Sequence, residues 1–199
     1  LPLAYCDLDL LDKNIKDIAN RTANAHKTIR IASKSVRSTS ILKRILDSHS
    51  IYKGLMCFSG SEAIFLSESG FDDLLLGYPI VNADEITKIC EATKNAKTIV
   101  LMVDCIQHLE QINAIAKAIG TIQAVCIDID MSTSLPGLHF GVMRSPITSI
   151  QKAKKLVDAF EKFPNIKLSG VMGYEAQVAG LGENNPANGI KNYVIPFLF

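Results

Sequence analysis

Arg30 and Lys34 stand four residues apart in the run Ile29-Arg30-Ile31-Ala32-Ser33-Lys34, just before the polar turn Ser35-Val36-Arg37-Ser38-Thr39-Ser40. The run alternates and is β-branched, so it reads as a strand that ends at Lys34. In parallel α/β proteins the C-terminal ends of the strands carry the chemistry. A lysine in a partly dry site there can give up its proton and attack a carbonyl carbon. A cationic neighbour such as Arg30 or Arg37 favours that loss. The plainer alternative is a solvated lysine at the start of a loop. A second pair, Asp128 and Asp130, flanks the end of a later apolar run. Two close carboxylates can do acid–base work, although helix capping or loop bracing is their commoner use.

The elements that must position these residues alternate almost from end to end. Strands are predicted at Leu3–Asp7, Ile29–Lys34, Gly54–Phe58, Asp73–Gly77, Thr98–Val103, Gln123–Ile129 and Lys167–Met172. Helices are predicted between them at Leu10–Ala25, Ser40–Ser48, Ser61–Ser69, Ala83–Thr93, Ile106–Ile119 and Ser149–Phe163. In the helix Ile106–Ile119, Ile106, Leu109, Ile112, Ile115, Ala116 and Ile119 recur at helical spacing, and Gly120 stops it. Ser61-Glu62-Ala63-Ile64 and Asn82-Ala83-Asp84-Glu85 read as helix N-termini with capping side chains and early acids.

A (βα) repeat of about 25 residues implies a parallel sheet. Runs such as Ile99-Val100-Leu101-Met102-Val103 are apolar throughout, as strands covered on both faces are. Nothing resembling Gly-x-Gly-x-x-Gly follows the first strand, which argues against a dinucleotide fold. The fold class read from the sequence is therefore α/β, a (β/α)8 TIM-type barrel. Seven strands are found where a closed barrel has eight. The chain then ends on Tyr193-Val194-Ile195-Pro196-Phe197-Leu198-Phe199, an apolar tail that suggests a truncated barrel.

The 199 residues suit one domain or part of a larger one, and 48% are apolar, enough for a sizeable core. The net charge of +1, with acids and bases mixed throughout, points away from nucleic acid and from a basic membrane patch. The apolar runs are far shorter than a membrane span, and Leu1-Pro2-Leu3-Ala4-Tyr5 reads as a first strand, not a signal peptide. The five cysteines (Cys6, Cys57, Cys90, Cys105 and Cys126) are odd in number and widely spaced, with no Cys-x-x-Cys. They read as reduced thiols in a cytoplasmic protein, and no metal ligand is assigned.

The order of segments resembles the alanine-racemase-like N-terminal domain of the fold-type III pyridoxal-phosphate enzymes, above all the D-threonine aldolase and D-serine dehydratase (amino acid deaminase) branch. The resemblance begins at Pro2-Leu3-Ala4-Tyr5-Cys6-Asp7-Leu8-Asp9, Arg30-Ile31-Ala32-Ser33-Lys34-Ser35 and Gly60-Ser61-Glu62-Ala63. It continues through Gly70-Phe71-Asp72-Asp73-Leu74-Leu75, Asp128-Ile129-Asp130 and His139-Phe140-Gly141-Val142. It closes on Leu168-Ser169-Gly170-Val171-Met172-Gly173-Tyr174-Glu175.

What the resemblance implies is a pyridoxal-5'-phosphate-dependent lyase of D-amino acids, with the cofactor held by Lys34 as an internal aldimine. An amino-acid racemase and a non-catalytic cofactor-binding fragment are the alternatives. Similar proteins support the cofactor with an arginine near Arg30 and an aromatic residue near Tyr174. The resemblance also gives Gln177 a contact to phosphate or substrate. A surface arginine, a packing tyrosine and a loop glutamine are the plainer readings of these three. Residues 1–199 form the barrel domain in this view. The family's C-terminal β-domain, with the metal ligands of the aldolases and dehydratases, is absent, so no metal ligand is carried over, and a divalent metal belongs to a longer protein. A homodimer is implied, because similar enzymes complete each site with the partner's β-domain.

The chain departs from the family pattern at His139, which stands where many relatives have an arginine beside the pyridine nitrogen, in a longer connection (Leu135-Pro136-Gly137-Leu138-His139). A neutral histidine would leave that nitrogen unprotonated and weaken the ring's pull on electrons, and a purely structural histidine is the alternative. Small one-domain relatives carry a Gly-Glu-Asn-Tyr-type segment, and here Gly182-Glu183-Asn184 lies too late to match it.

Overall fold

Each apolar run beyond the first becomes a strand, and each amphipathic run becomes a helix packed behind it. A computed structural model of the chain describes residues 5–135 and 138–175. The elements in order are α1 (Leu8–Thr22), β1 (Ile29–Ala32), α2 (Thr39–Ser48), β2 (Tyr52–Cys57), α3 (Gly60–Glu68), β3 (Leu74–Pro79), α4 (Ala83–Lys94), β4 (Ile99–Val103), α5 (Ile106–Ile119), β5 (Gln123–Asp130), the hairpin strands β6 (Thr133–Leu135) and β7 (Leu138–Phe140), α6 (Ile150–Ala159) and β8 (Ile166–Tyr174).

Six of these strands pair in parallel in the order β1-β2-β3-β4-β5-β8. The helices start where the sequence supplies caps. Asp7 accepts from Asp9 and Leu10 N–H, Ser59 from Glu62 N–H, Asn82 from Asp84 and Glu85 N–H, and Ser149 from Lys152 N–H. The cap of α3 is Ser59, two residues ahead of the expected start at Ser61. Its partner Glu62 reaches back to Phe58 N–H at 2.6 Å, close to a capping box. Of the expected first strand, residues 5–7 carry no strand pairing and lead into the Asp7 cap; the remainder lies outside the described residues.

Both faces of the sheet are apolar, as a helix-covered and inward-curling sheet requires. Toward the helices lie Leu55, Leu74, Leu76, Leu101, Val125 and Ile127, joined by Ile86, Ile89, Leu109 and Ile112 from the helices. On the other face Val100, Met102, Ala124 and Cys126 pack with Leu75 and Met172. The curl follows from one observation. Laid flat, the edge strands β1 and β8 would stand about 24 Å apart, five strand spacings. Yet Lys34, just past β1, and Tyr174, at the end of β8, line the same small cavity. The described strands therefore form a curled half-barrel.

Candidate active site

Lys34 owes its position to a short turn anchored on the neighbouring strand. After β1 the chain makes one turn of 3-10 helix, Ser33–Ser35. Ser33 is buried and donates its hydroxyl to the Met56 carbonyl of β2 at 3.0 Å. Val36 N–H returns to the Ser33 carbonyl at 3.0 Å, and Arg37 Nε donates to the Lys34 carbonyl at 3.3 Å. This backbone pinning sets Lys34 at the C-terminal end of the sheet. Its Nζ lies 5.7 Å from the centre of the Tyr78 ring, in cation–π range.

The cavity around it has a volume of about 210 Å³. Met56, Phe58 and Met172 give it apolar walls, and Tyr78, Arg144 and Tyr174 give it polar groups. The Phe58 and Tyr78 rings meet edge to face at 5.4 Å and 71°, which fixes the tilt of the tyrosine.

Arg144, which the sequence reading did not single out, occupies the centre of this end of the sheet. Its guanidinium carbon lies 4.5 Å from the Tyr78 ring centre and 5.3 Å from that of Tyr174. Nε donates to Asp128 Oδ2 at 2.9 Å, and Nη2 donates to the Gly77 carbonyl. The segment carrying it is tied down on both sides. Asp130 accepts from Ser132 N–H at 2.6 Å and Ser145 N–H at 3.4 Å, and Ser145 Oγ donates to the Asp128 carbonyl at 2.7 Å. Asp130 N–H donates to the Ile147 carbonyl at 3.0 Å.

The two aspartates thus brace a loop and hold an arginine. Burial pushes the Asp128 carboxyl above its usual range, against the pull of Arg144. At Asp130 burial acts the same way, but hydrogen bonds from Ser132 and from the Ser145 and Arg144 backbone outweigh it and leave the group below its usual value.

Of the residues expected at the site, Lys34 and Tyr174 come together on this cavity. Arg30 points toward the concave side but is engaged lower down. Nη2 pairs with Asp73 Oδ1 at 2.7 Å, and Nη1 donates to the Asp73 and Leu55 carbonyls. His139 is exposed in the β6–β7 hairpin, opposite Ser134, and is not among the described residues lining the cavity. Gln177 lies outside the described residues. The sequence signal that could have found Tyr78 is its place one residue past the predicted strand end at Gly77. Arg144 sits in a stretch without periodicity and carries no such signal.

Among the described residues one set of mixed ligand types converges: Asp104, Cys105 and His108, where β4 passes into α5. Asp104 Oδ1 and His108 Nδ1 lie 3.0 Å apart, an i,i+4 pair that ties the strand end to the first turn of the helix.

An amine, two phenols and a fixed guanidinium around a small apolar-walled cavity suit a flat, anionic carbonyl compound. The cavity residues fit pyridoxal phosphate in these terms. Lys34 offers the nucleophile, and Met56, Phe58 and Met172 offer a face for a ring.

Comparison with known proteins agrees with this fold. The model of the alanine racemase N-terminal domain matches residues 6–191. A 3-hydroxy-D-aspartate aldolase of Paracoccus denitrificans is 22% identical over 182 residues, covering 92% of this chain and 44% of that protein. The D-threonine aldolase of Filomicrobium marinum superposes with a TM-score of 0.72 at 19% identity, over 83% of this chain and 42% of that one. The alanine racemase of Bacillus anthracis does so with a TM-score of 0.70 at 17% identity, over 100% of this chain and 48% of that one. At these identities the structural likenesses carry the fold alone, and the chain spans less than half the length of the relatives it matches. With the family model covering nearly all of its residues, the chain belongs to the alanine racemase N-terminal domain family, the barrel of the fold-type III pyridoxal-phosphate enzymes.

Proposed function

We propose that this chain is the pyridoxal-5'-phosphate-binding barrel domain, residues 1–199, of a lyase acting on D-amino acids, of the D-threonine aldolase or D-serine dehydratase type, with Lys34 as the residue that carries the cofactor. The observation that supports it is the meeting of Lys34 with Tyr78, Arg144 and Tyr174 on one cavity at the C-terminal end of the parallel strands. Relatives named as aldolases of 3-hydroxy-D-aspartate and D-threonine favour a β-hydroxylated D-amino acid as substrate.

When bound, the cofactor supplies a conjugated ring that stores the electron pair released from a substrate Cα bond. The chain's own residues do the rest. Lys34 offers its amine at the cavity mouth. Arg144, locked by Asp128 and Gly77, keeps a positive charge at the cavity without moving when an anion enters. Tyr174 and Met172 close one wall, and Met56 and Phe58 close the other.

The alternative readings are an amino-acid racemase and a barrel that binds the cofactor without turnover. A homodimer, a divalent metal held by a further domain and a cytoplasmic location complete the proposal.

Incubation with pyridoxal phosphate, borohydride reduction and peptide mass spectrometry test the central assignment. The expected result is a pyridoxyl group on Lys34, absent in Lys34→Ala. Equal uptake by the parent and the variant, at other lysines, overturns it.

A further inference from the structure

We propose that Asp104, Cys105 and His108 form a zinc site at the junction of β4 and α5. None of the three is among the residues lining the Lys34 cavity, and the inference does not draw on the cofactor reading.

The sequence brings the three donors together before any tertiary contact forms. In Asp104-Cys105-Ile106-Gln107-His108, Cys105 is the N-cap of α5 and His108 is its third residue. Side chains at these two positions face each other across the first turn, where a capping box uses serine and glutamate. Side-chain oxygens cap α1 to α4 and α6, whereas the Cys105 thiol closes no capping hydrogen bond. Its sulfur is therefore not committed to the helix. Asp104 directly follows β4, and its Oδ1 stands 3.0 Å from His108 Nδ1.

Distance, burial and donor chemistry agree. One ligand atom from each residue lies within 4.8 Å of the other two: a carboxylate oxygen, a sulfur and a ring nitrogen. In a tetrahedral zinc site with bonds of about 2.0–2.3 Å, ligand atoms stand about 3.3–3.6 Å apart. The set therefore closes by about 1 Å on binding, a shift that side-chain torsions supply. The Asp104 and His108 side chains are each 16% exposed, drawn back from bulk water yet within reach of an ion. A cavity of about 280 Å³ adjoins them, walled by Asp104, Cys105 and Gln107 on one side and by Lys152, Lys155 and Leu156 of α6 on the other. Thiolate, imidazole and carboxylate together select zinc over calcium or magnesium, which take oxygen ligands. Three protein ligands leave the fourth position to water.

The charge balance permits the ion. The start of α5 carries a partial positive charge, and two lysines line the cavity. Lys152 Nζ is already engaged, donating to the Pro146 carbonyl at 2.9 Å and to Thr148 Oγ1 at 3.0 Å. A thiolate and a carboxylate match the two charges of zinc, so the loaded site is neutral and these positive groups oppose it weakly. The plainer reading is an Asp104–His108 brace that needs no metal, and it gives Cys105 no response to zinc.

The test adds zinc chloride to full-length protein that has been stripped with a chelator and kept reduced with a phosphine. Alkylation of Cys105 by iodoacetamide, read by peptide mass spectrometry, should slow about tenfold or more in micromolar zinc and recover when chelator returns. The readout belongs to Cys105 alone, so a metal held by a further domain does not disturb it. His108→Ala and Asp104→Asn, each compared with its own metal-free rate, should lose the protection. Cobalt in place of zinc should give a thiolate-to-metal absorption band that falls by one site's share in Cys105→Ser, a change that keeps a good N-cap. The proposal is overturned by an unchanged alkylation rate, by protection that needs millimolar zinc, by protection that survives both substitutions, or by a cobalt spectrum that Cys105→Ser leaves unaltered.

Discussion

At the scale of single residues the site turns on Arg144 and Asp128. The Asp128 side chain is 1% exposed and that of Arg144 13%, so the carboxylate stays out of water if the arginine is lost. Removing one member of a buried pair costs about 3–5 kcal/mol, since the survivor stays buried and unpaired. Arg144→Met should therefore lower unfolding free energy by about 3 kcal/mol at pH 7 in urea denaturation. The loss should shrink as the pH falls. Burial already pushes the Asp128 carboxyl up. Without Arg144 it rises further, and a group whose folded pKa is raised contributes stability at low pH that is lost as pH rises through that value. Denaturation of Arg144→Met at pH 5 and pH 7 should show the larger deficit at pH 7. Adding Asp128→Asn should recover much of it, because an amide has no charge to strand. An equal deficit at both pH values would mean that Asp128 finds another partner when the arginine is gone.

At the scale of elements, the sequence made most of the half-barrel legible and left out two of the residues at its mouth. Helix α5 runs from Ile106 to Ile119, the range that its apolar spacing and Gly120 define. The strands β3 to β5 match because their runs are apolar on both faces, a pattern few other environments produce. The β6–β7 hairpin was not anticipated. Its strands are three residues each, too short for an alternation to stand out within the long connection after β5. Arg144 was missed for a related reason. What brings it to the site is the fastening of its loop by Asp130 and Ser145, through hydrogen bonds that span 15 and 17 residues and that no local pattern encodes.

Strand β2 shows how an element can depend on one glycine. Gly54 adopts φ +66°, and a Cβ there would run into the Asp73 carbonyl and the Arg30 guanidinium. The same spot anchors the Arg30–Asp73 pair that ties β1 to the start of β3. Gly54→Ala should cost about 1–3 kcal/mol, the range for a non-glycine residue held in a left-handed conformation. Chemical denaturation would measure this, and a neutral substitution would show that β2 can flatten without loss.

For the whole molecule, the question is how well a half-barrel closes its own concave face. The relatives it matches are more than twice as long, yet the described residues bury the inner cluster of Val100, Met102, Ala124 and Cys126. The cysteines report on this region by region. Cys57 and Cys90 lie in the helix-facing core, Cys126 on the concave face, Cys105 half-buried at the start of α5 and Cys6 exposed. Burial pushes the Cys57 thiol up to about 12 and those of Cys90 and Cys126 to about 11, so at pH 8 they are protonated as well as shielded. Because the thiolate is the reactive form, the two effects multiply. In the native protein an aromatic disulfide reagent at pH 8 should modify Cys6 rapidly and Cys105 slowly. Cys57, Cys90 and Cys126 should react only at the rate of unfolding, and all five should react in denaturant. Cys126 is the informative member. If it reacts as fast as Cys6 while Cys57 and Cys90 stay protected, the helix-facing core is intact but the concave face is open to solvent. The strands would then curl less in solution than a shared Lys34–Tyr174 cavity demands.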